Sequence, residues 1–194
     1  MKKETKKLIA AGIVMALSCG AWGSVSAQDC IQVTQESESK TITGSNIIFD
    51  KKTVTVPDRS IKTSIYIKNG TVSVTADDAI QFNGLKTPTL NNTGTSDLAG
   101  SEYNAGWLAG NATLNLKAKE LYVGSVNAAK QGTGDDGFQM KGSNNHLNIL
   151  ADKIVSYTGD SFINAQEGPG ASEVNIGRAD HRVGYFEAHT TWGK

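Results

Sequence analysis

Two stretches of eight residues decide the fold, namely residues 114–121, LNLKAKEL, and residues 147–154, LNILADKI. In each stretch an asparagine stands between two aliphatic residues, an alanine follows two residues later, and a further aliphatic residue ends the stretch. Residues 72–80, VSVTADDAI, repeat this order with one residue more. Alternation of apolar and polar residues with period two is typical of strands that bury one face. The stretches therefore predict short strands that share one core.

The aliphatic–polar–aliphatic phrase begins at Val54, Val72, Leu114, Leu147 and Val174, so its spacings are 18, 42, 33 and 27 residues. Such variation excludes a repeat of fixed length but fits a solenoid whose loops differ in length. Parallel stacking at about 4.8 Å per strand would place equivalent residues on top of one another. We therefore predict an inward ladder formed by Val72, Leu114, Leu147 and Val174.

A second phrase links residues 77–84, DDAIQFNG, with residues 135–142, DDGFQMKG, and more loosely with residues 159–164, GDSFIN. Its apolar positions predict another inward ladder, in which the last three members are 24 residues apart. The members of this ladder are Ile80, Phe138, Phe162 and Phe186.

Together the phrases predict an all-β chain folded as a single-stranded, right-handed parallel β-helix of a few irregular coils. An antiparallel sandwich would explain the short strands but not the fixed order in which the phrases recur. The predicted organisation is a signal peptide at residues 1–27, a flexible polar arm at 28–40, and a β-solenoid at 41–194. Residues 85–111, rich in Gly, Asn and Thr, are expected to project from the solenoid as an inserted loop.

The N-terminus carries an export signal. Four lysines precede the apolar run LIAAGIVMAL, and residues 25–27, VSA, offer small side chains before a cleavage site after Ala27. Residues 16–19, ALSC, loosely resemble a lipobox, so a lipid anchor at Cys19 is the alternative. Cleavage after Ala27 would leave Cys30 as a lone thiol, which cannot form an internal disulfide.

Charge and composition restrict the partners. The chain has 19 basic and 19 acidic residues and only 7% aromatic residues, with no basic stripe between aromatics. Nucleic acid is therefore not an expected partner. No cofactor is expected, and the three histidines lack metal-ligand spacing, so no metal is expected either. The Gly-rich nonapeptide of calcium-binding β-rolls is missing as well.

The leader, the arm and the two phrases together resemble the passenger segment of a bacterial autotransporter, or a related pectin-lyase-like β-helix surface protein, over residues 41–187. The resemblance implies Sec export, transport through an outer-membrane translocator barrel, and display of the repeats at the cell outer membrane or in secreted form, often as an adhesin. It implies a host-cell, extracellular-matrix or glycan partner. Residues 180–194 are too few for a barrel, so we expect an N-terminal segment of a longer autotransporter or a different anchor.

The carboxylates at Asp135, Asp136 and Asp160 give the enzyme alternative. Residues 132–140, GTGDDGFQM, are similar to the acidic segment of polygalacturonase-type glycoside hydrolases, in which one acid protonates the glycosidic oxygen and a base activates water. The Gly-His-Gly and Arg-Ile-Lys motifs of that family are missing, and the pair recurs at Asp77. An aspartate before a strand also stabilises a turn. We therefore expect turns here and no catalytic activity.

Tyr103 and Trp107 are the candidate ligand contacts within the inserted loop. An exposed pair of aromatic rings suits stacking on a sugar, whereas Trp107 is equally consistent with a packing residue. Display of a ligand-binding loop on a rigid rod is the expected function. A role as a structural spacer without a ligand is the remaining alternative.

Overall fold

The computed structural model describes residues 25–49, 52–56, 59–82, 104–124, 136–158, 161–165 and 171–189. The secondary structure in these ranges is β strand, with no helix, which confirms the prediction of an all-β chain. None of the described residues belongs to a helix that is long and apolar enough to cross a membrane. The strands are β1 (Val25–Gln28), β2 (Ile31–Val33), β3 (Glu38–Phe49), β4 (Lys52–Val56), β5 (Arg59–Ile67), β6 (Gly70–Phe82), β7 (Asn104–Leu108), β8 (Thr113–Lys117), β9 (Glu120–Gly124), β10 (Asp136–Met140), β11 (His146–Leu150), β12 (Lys153–Tyr157), β13 (Ile163–Ala165), β14 (Glu173–Ile176) and β15 (Tyr185–His189).

The strands form two sheets, in which every pairing is parallel except that of β4 with β5. The six-stranded sheet has the strand order β13–β10–β7–β5–β2, with β4 also paired to β5. This sheet forms the first face. The nine-stranded sheet forms two further faces, because residues 71–75 of β6 pair with β8 whereas residues 79–82 of the same strand pair with β9. The second face continues through β11 and β14, and the third through β12 and β15.

Each layer of the fold contributes a strand to each face. Layer 1 contains β2 and β3, layer 2 contains β5 and β6, and layers 3 to 5 contain β7–β9, β10–β12 and β13–β15. Buried inward side chains from all three faces belong to a single core cluster. A strand of five residues buries too little surface to be stable alone, so stacking of the layers supplies the core.

The first predicted ladder matches the strand register. Val72 is the Cα partner of Leu114, Leu114 of Leu147, and Leu147 of Val174. The alanine that follows three of the five aliphatic phrases lies at the corner between the second and third faces and is buried. A small side chain fits there because the chain turns towards the core at this corner. The three corner residues are Ala76, Ala118 and Ala151.

The second predicted ladder is wrong, because its members are not Cα partners of one another. Its three phenylalanines nevertheless form a line of ring contacts. Ile80 belongs to a column of the third face that continues through Leu121 and Ile154 to Phe186. Phe138 is on the first face and pairs with Ile163, one residue beyond Phe162. The rings nevertheless touch through the core, with centroids 5.8 Å apart for Phe138–Phe162 and 5.4 Å for Phe162–Phe186.

The equivalence of the two acidic phrases is also corrected. Residues 79–82 pair with β9 on the third face, whereas β10, which contains the corresponding residues of the second phrase, pairs with β7 on the first face. The first phrase lies at a corner within β6, whereas the described part of the second belongs to β10, so their similarity in sequence does not reflect the same position in a layer. Val54, the first residue of the earliest aliphatic phrase, lies in β4, which is antiparallel to β5 and does not add a layer.

The predicted boundaries differ from the observed strands in three places. The predicted arm, residues 28–40, contains β2 and the first three residues of β3. The predicted loop, residues 85–111, ends in β7, whereas residues 83–103 lie outside the described residues. The signal peptide lies outside them up to residue 24, and residues 25–28 form β1, which pairs with residues 46–49 of β3.

Candidate functional site

The second face carries a ladder of amide side chains. Asn115 Nδ2 donates to Ser73 Oγ at 3.0 Å, Asn148 Nδ2 to Asn115 Oδ1 at 2.8 Å, and Asn175 Nδ2 to Asn148 Oδ1 at 2.9 Å. Each amide donates to the layer before it, and those of Asn115 and Asn148 also accept from the layer after, which stacked in-register strands permit. The asparagine of the aliphatic phrase therefore links layers to one another.

A second amide ladder follows the turn between the first and second faces. Asn69, Asn111 and Asn144 all have positive φ, at 61°, 46° and 60°, a conformation that asparagine tolerates better than most residues. Asn111 Nδ2 donates to Asn69 Oδ1 at 3.2 Å, and Asn144 Nδ2 to Asn111 Oδ1 at 3.0 Å. The polar ladders on this side therefore have a structural role in every layer that they link.

Trp107 lies beneath a hairpin. Its side chain is 7% exposed and packs with Val54, Ile61 and Tyr66, because β4 folds back over β5 on the outside of the first face. Lys141 Nζ lies 5.3 Å from the centroid of the indole ring. Tyr103, its predicted partner in sugar stacking, lies outside the described residues. The indole that was predicted to project with a loop is thus a packing group of a strand.

The three predicted carboxylates are not brought together by any contact that the structure describes. Asp135 and Asp160 lie outside the described residues, and only the backbone of Asp136 is described, as the Cα partner of Asn104. Asp78 is exposed at the corner between the second and third faces, where its Oδ1 lies 2.7 Å from Lys119 Nζ and its carbonyl accepts from the Lys119 N–H. The Asp78 side chain thus forms an ion pair between layers 2 and 3 at this corner.

The third face carries a different surface on layers 3 to 5, which we call the tyrosine–glutamate surface. It contains three of the chain's five tyrosines, because the first, third and fifth residues of β9, β12 and β15 lie on one side of each strand and include one tyrosine per strand. Two rows of Cα partners cross the three strands, Glu120–Lys153–Tyr185 and Tyr122–Val155–Glu187. Its polar members are Glu120, Tyr122, Lys153, Tyr157, Tyr185 and Glu187.

Hydrogen bonds fix the polar groups of this surface. Tyr157 Oη donates to Glu187 Oε1 at 2.9 Å, and Tyr185 Oη donates to the other oxygen of the same carboxylate. Tyr122 Oη donates to Glu120 Oε2 and accepts from Lys153 Nζ at 3.1 Å. Lys153 Nζ also lies 5.3 Å from the centroid of the Tyr122 ring. Each carboxylate is therefore held by at least one phenol.

The same contacts hold the phenols protonated and the ammonium charged. Hydrogen bonds to Glu187 raise the pKa of Tyr157 and of Tyr185, while burial, followed by the hydrogen bond to Glu120, raises the pKa of Tyr122. The hydrogen bond to Tyr122 raises the pKa of Lys153. At neutral pH the surface thus presents protonated phenols, one ammonium and carboxylates that accept hydrogen bonds.

Two histidines connect layer 4 to layer 5. His146 Nδ1 lies 3.4 Å from Glu173 Oε2, and His181 Nε2 lies 2.8 Å from Asp152 Oδ1 without the alignment of a hydrogen bond. The side chain of His189 is not described. Within the described ranges no three His, Cys, Asp or Glu side chains are grouped so as to hold a metal ion. The thiol of Cys30 is partly exposed and donates to the Ile31 carbonyl at 3.9 Å.

Sequence reasoning missed the tyrosine–glutamate surface. A signal exists, since the first, third and fifth residues of the strands ELYVG, KIVSY and YFEAH include a tyrosine and a charged residue in each strand. The rows become visible only when the three strands are aligned, and loops of unequal length hide that alignment. The chain matches no protein-family model, no curated protein and no solved structure.

Proposed function

We propose that the chain is an exported surface or secreted protein whose layers form a right-handed parallel β-helix that displays a ligand-binding surface, as an adhesin or autotransporter passenger does. The observation that carries the proposal is the in-register stacking of the same three strands, layer after layer, around a single core. Right-handed crossovers are the strong rule for parallel strands joined within a sheet, which supports the handedness.

A rigid stack with side-chain ladders on its outside suits display. Parallel layers hold outward side chains in fixed rows, so a ligand meets an ordered surface and little conformational entropy is lost when it binds. The hairpin over the first face and the amide ladder of the second leave the tyrosine–glutamate surface as the outward surface richest in varied polar and aromatic chemistry.

The export part of the proposal rests on the leader pattern. Cleavage after Ala27 would remove three of the four residues of β1 and free the edge of β3 at residues 46–49. Mass spectrometry of the chain released by its host is expected to find Gln28 at the N-terminus. An acylated Cys19 would favour the lipoprotein alternative, and retention of Met1 would overturn export by cleavage.

Adherence tests the function. Beads that carry the chain in its secreted form are expected to adhere to epithelial cell monolayers or to extracellular matrix more than beads that carry serum albumin. Addition of the soluble chain is expected to reduce this adherence. Adherence equal to that of the albumin beads on both surfaces would overturn the proposal and favour a spacer.

A further inference from the structure

The tyrosine–glutamate surface is accessible at one end. Tyr185 is 50% exposed, and the side chains of Lys153 and Glu120 are 38% and 42% exposed. The ring of Tyr122 is nearly buried and supports the Lys153 ammonium from below. A ligand would therefore meet the exposed phenol of layer 5, the ammonium of layer 4 and the carboxylate of layer 3.

These three groups lie in a row along the stacking direction. Because Glu120, Lys153 and Tyr185 are Cα partners, they follow one another at about 4.8 Å per layer. The row is flat and crosses strands, so it fits an extended chain of rings and not a small molecule that needs a closed cavity. Glu187 and Tyr157 border this row in layers 5 and 4.

The chemistry of the row favours a ligand with many hydroxyl groups. An ionised carboxylate has two lone pairs on each oxygen, so Glu120 can accept hydrogen bonds beside the one from Tyr122. Hydroxyl groups are the matching donors, the Lys153 ammonium donates to ring or hydroxyl oxygens, and the face of Tyr185 offers an apolar platform for C–H groups. Sugars combine these properties.

The charge of the surface selects among glycans. Two carboxylates and one ammonium give the surface a net negative charge. Uronate polymers and nucleic acid would bring anionic groups close to Glu120 and Glu187, and like charges at short range repel. The surface therefore fits a neutral glycan better than an acidic one.

We propose that the tyrosine–glutamate surface binds a neutral glycan chain that lies across layers 3 to 5, with Tyr185, held by Glu187, as the stacking platform and Glu120 as an acceptor for its hydroxyl groups. This inference rests on the function proposed above, since it names the surface and the ligand class of the displayed protein.

Calorimetric titration with cellohexaose, chitohexaose and hexagalacturonate tests the proposal. At least one neutral probe is expected to bind the wild-type chain, and hexagalacturonate is expected to bind at least tenfold more weakly. Tyr185→Ala is expected to lower the affinity at least tenfold, whereas Tyr185→Phe, which keeps the ring, is expected to lower it less. Thr113→Ala, on the second face, is the matched control and should bind as the wild type does.

Three results overturn the inference, namely no binding of either neutral probe, tighter binding of hexagalacturonate, or equal affinity for wild type and Tyr185→Ala. Unfolding curves of each variant verify that its fold is intact, and Glu187→Gln provides a second variant that keeps the size of the side chain. If beads still adhere to cells while the inference fails, the proposed display function is retained and only glycan binding by the tyrosine–glutamate surface is excluded. If adherence is also lost, both proposals fail.

Discussion

Layers 4 and 5 contain the same aliphatic phrase but bury it to different extents. Leu147 and Ile154 of layer 4 are 0% exposed, whereas their partners Val174 and Phe186 in layer 5 are 38% and 50% exposed. The inner layer has a described strand on both sides of each of its three strands, while layer 5 pairs only with layer 4 among the described residues. Burial of a side chain in this fold thus comes from two neighbouring layers and not from the phrase itself.

The largest expected effect is the loss of stability when a buried side chain of an inner layer is truncated. Leu114→Ala removes a fully buried side chain between two layers and is expected to lower the free energy of unfolding by about 2–5 kcal/mol. Val174→Ala, at the same column position in layer 5, is expected to lower it by about 1 kcal/mol or less, because little buried surface is lost. Urea denaturation measures both losses, provided that the dependence of the unfolding free energy on urea concentration is comparable among the variants and the wild type. Equal losses would contradict the dependence of burial on two neighbours.

Truncation of the amide ladder should also cost more stability in layer 4 than in layer 5, but by a smaller margin. Asn148→Ala removes hydrogen bonds to Asn115 and Asn175, whereas Asn175→Ala removes only the one to Asn148. Net contributions of about 1 kcal/mol per bond predict a loss for Asn148→Ala about twice that for Asn175→Ala. Chemical denaturation of the two variants compares them directly, and a larger loss for Asn175→Ala would show that the ladder does not connect the layers as described.

The smallest expected effect concerns the phenols of the third face. The hydrogen bonds to Glu187 raise the pKa of Tyr157 and Tyr185 above the ordinary value of 10.0, so the folded chain binds these protons more tightly than the unfolded chain. Their contribution to stability is present below pH 10.0 and is lost as the pH rises through the higher folded pKa values.

Ultraviolet titration of tyrosinate is expected to give a higher midpoint for the folded chain than for the chain in urea. Glu187→Gln removes the carboxylate that both phenols contact and should lower the folded midpoint, while Thr113→Ala should leave it unchanged. A Glu187→Gln midpoint equal to that of the wild type would contradict the hydrogen bonds to Glu187.

Some of this architecture was predictable from local pattern. The aliphatic–Asn–aliphatic phrase predicted the column through Leu114 and Leu147 because its alternation with period two fixes which side chains face inward. The 24-residue spacing of Phe138, Phe162 and Phe186 predicted their contacts but not their register, since loops of unequal length separate residues on different faces.

Other parts depended on partners that are far away in the sequence. Trp107 is covered by a hairpin whose strand β4 lies about fifty residues earlier, and no local pattern reveals that cover. Strand β2, with the sequence IQV, alternates aliphatic and polar residues but is only three residues long within a polar stretch, and it is held by backbone pairing to β5. The tyrosine–glutamate surface joins three strands, so it emerges from the register and not from a motif.

Cross-linking between layers tests the central claim, in-register parallel stacking, most directly. In a Cys19→Ser, Cys30→Ser background, the pairs Thr71→Cys with Thr113→Cys and Thr75→Cys with Lys117→Cys join Cα partners at the two ends of β8 and of the β6 segment that pairs with it, at a separation of about 5 Å that a disulfide accepts. Both pairs are expected to oxidise readily, whereas Thr71→Cys with Lys117→Cys is not. Efficient oxidation of the mismatched pair, or failure of both matched pairs in a folded chain, would contradict the account.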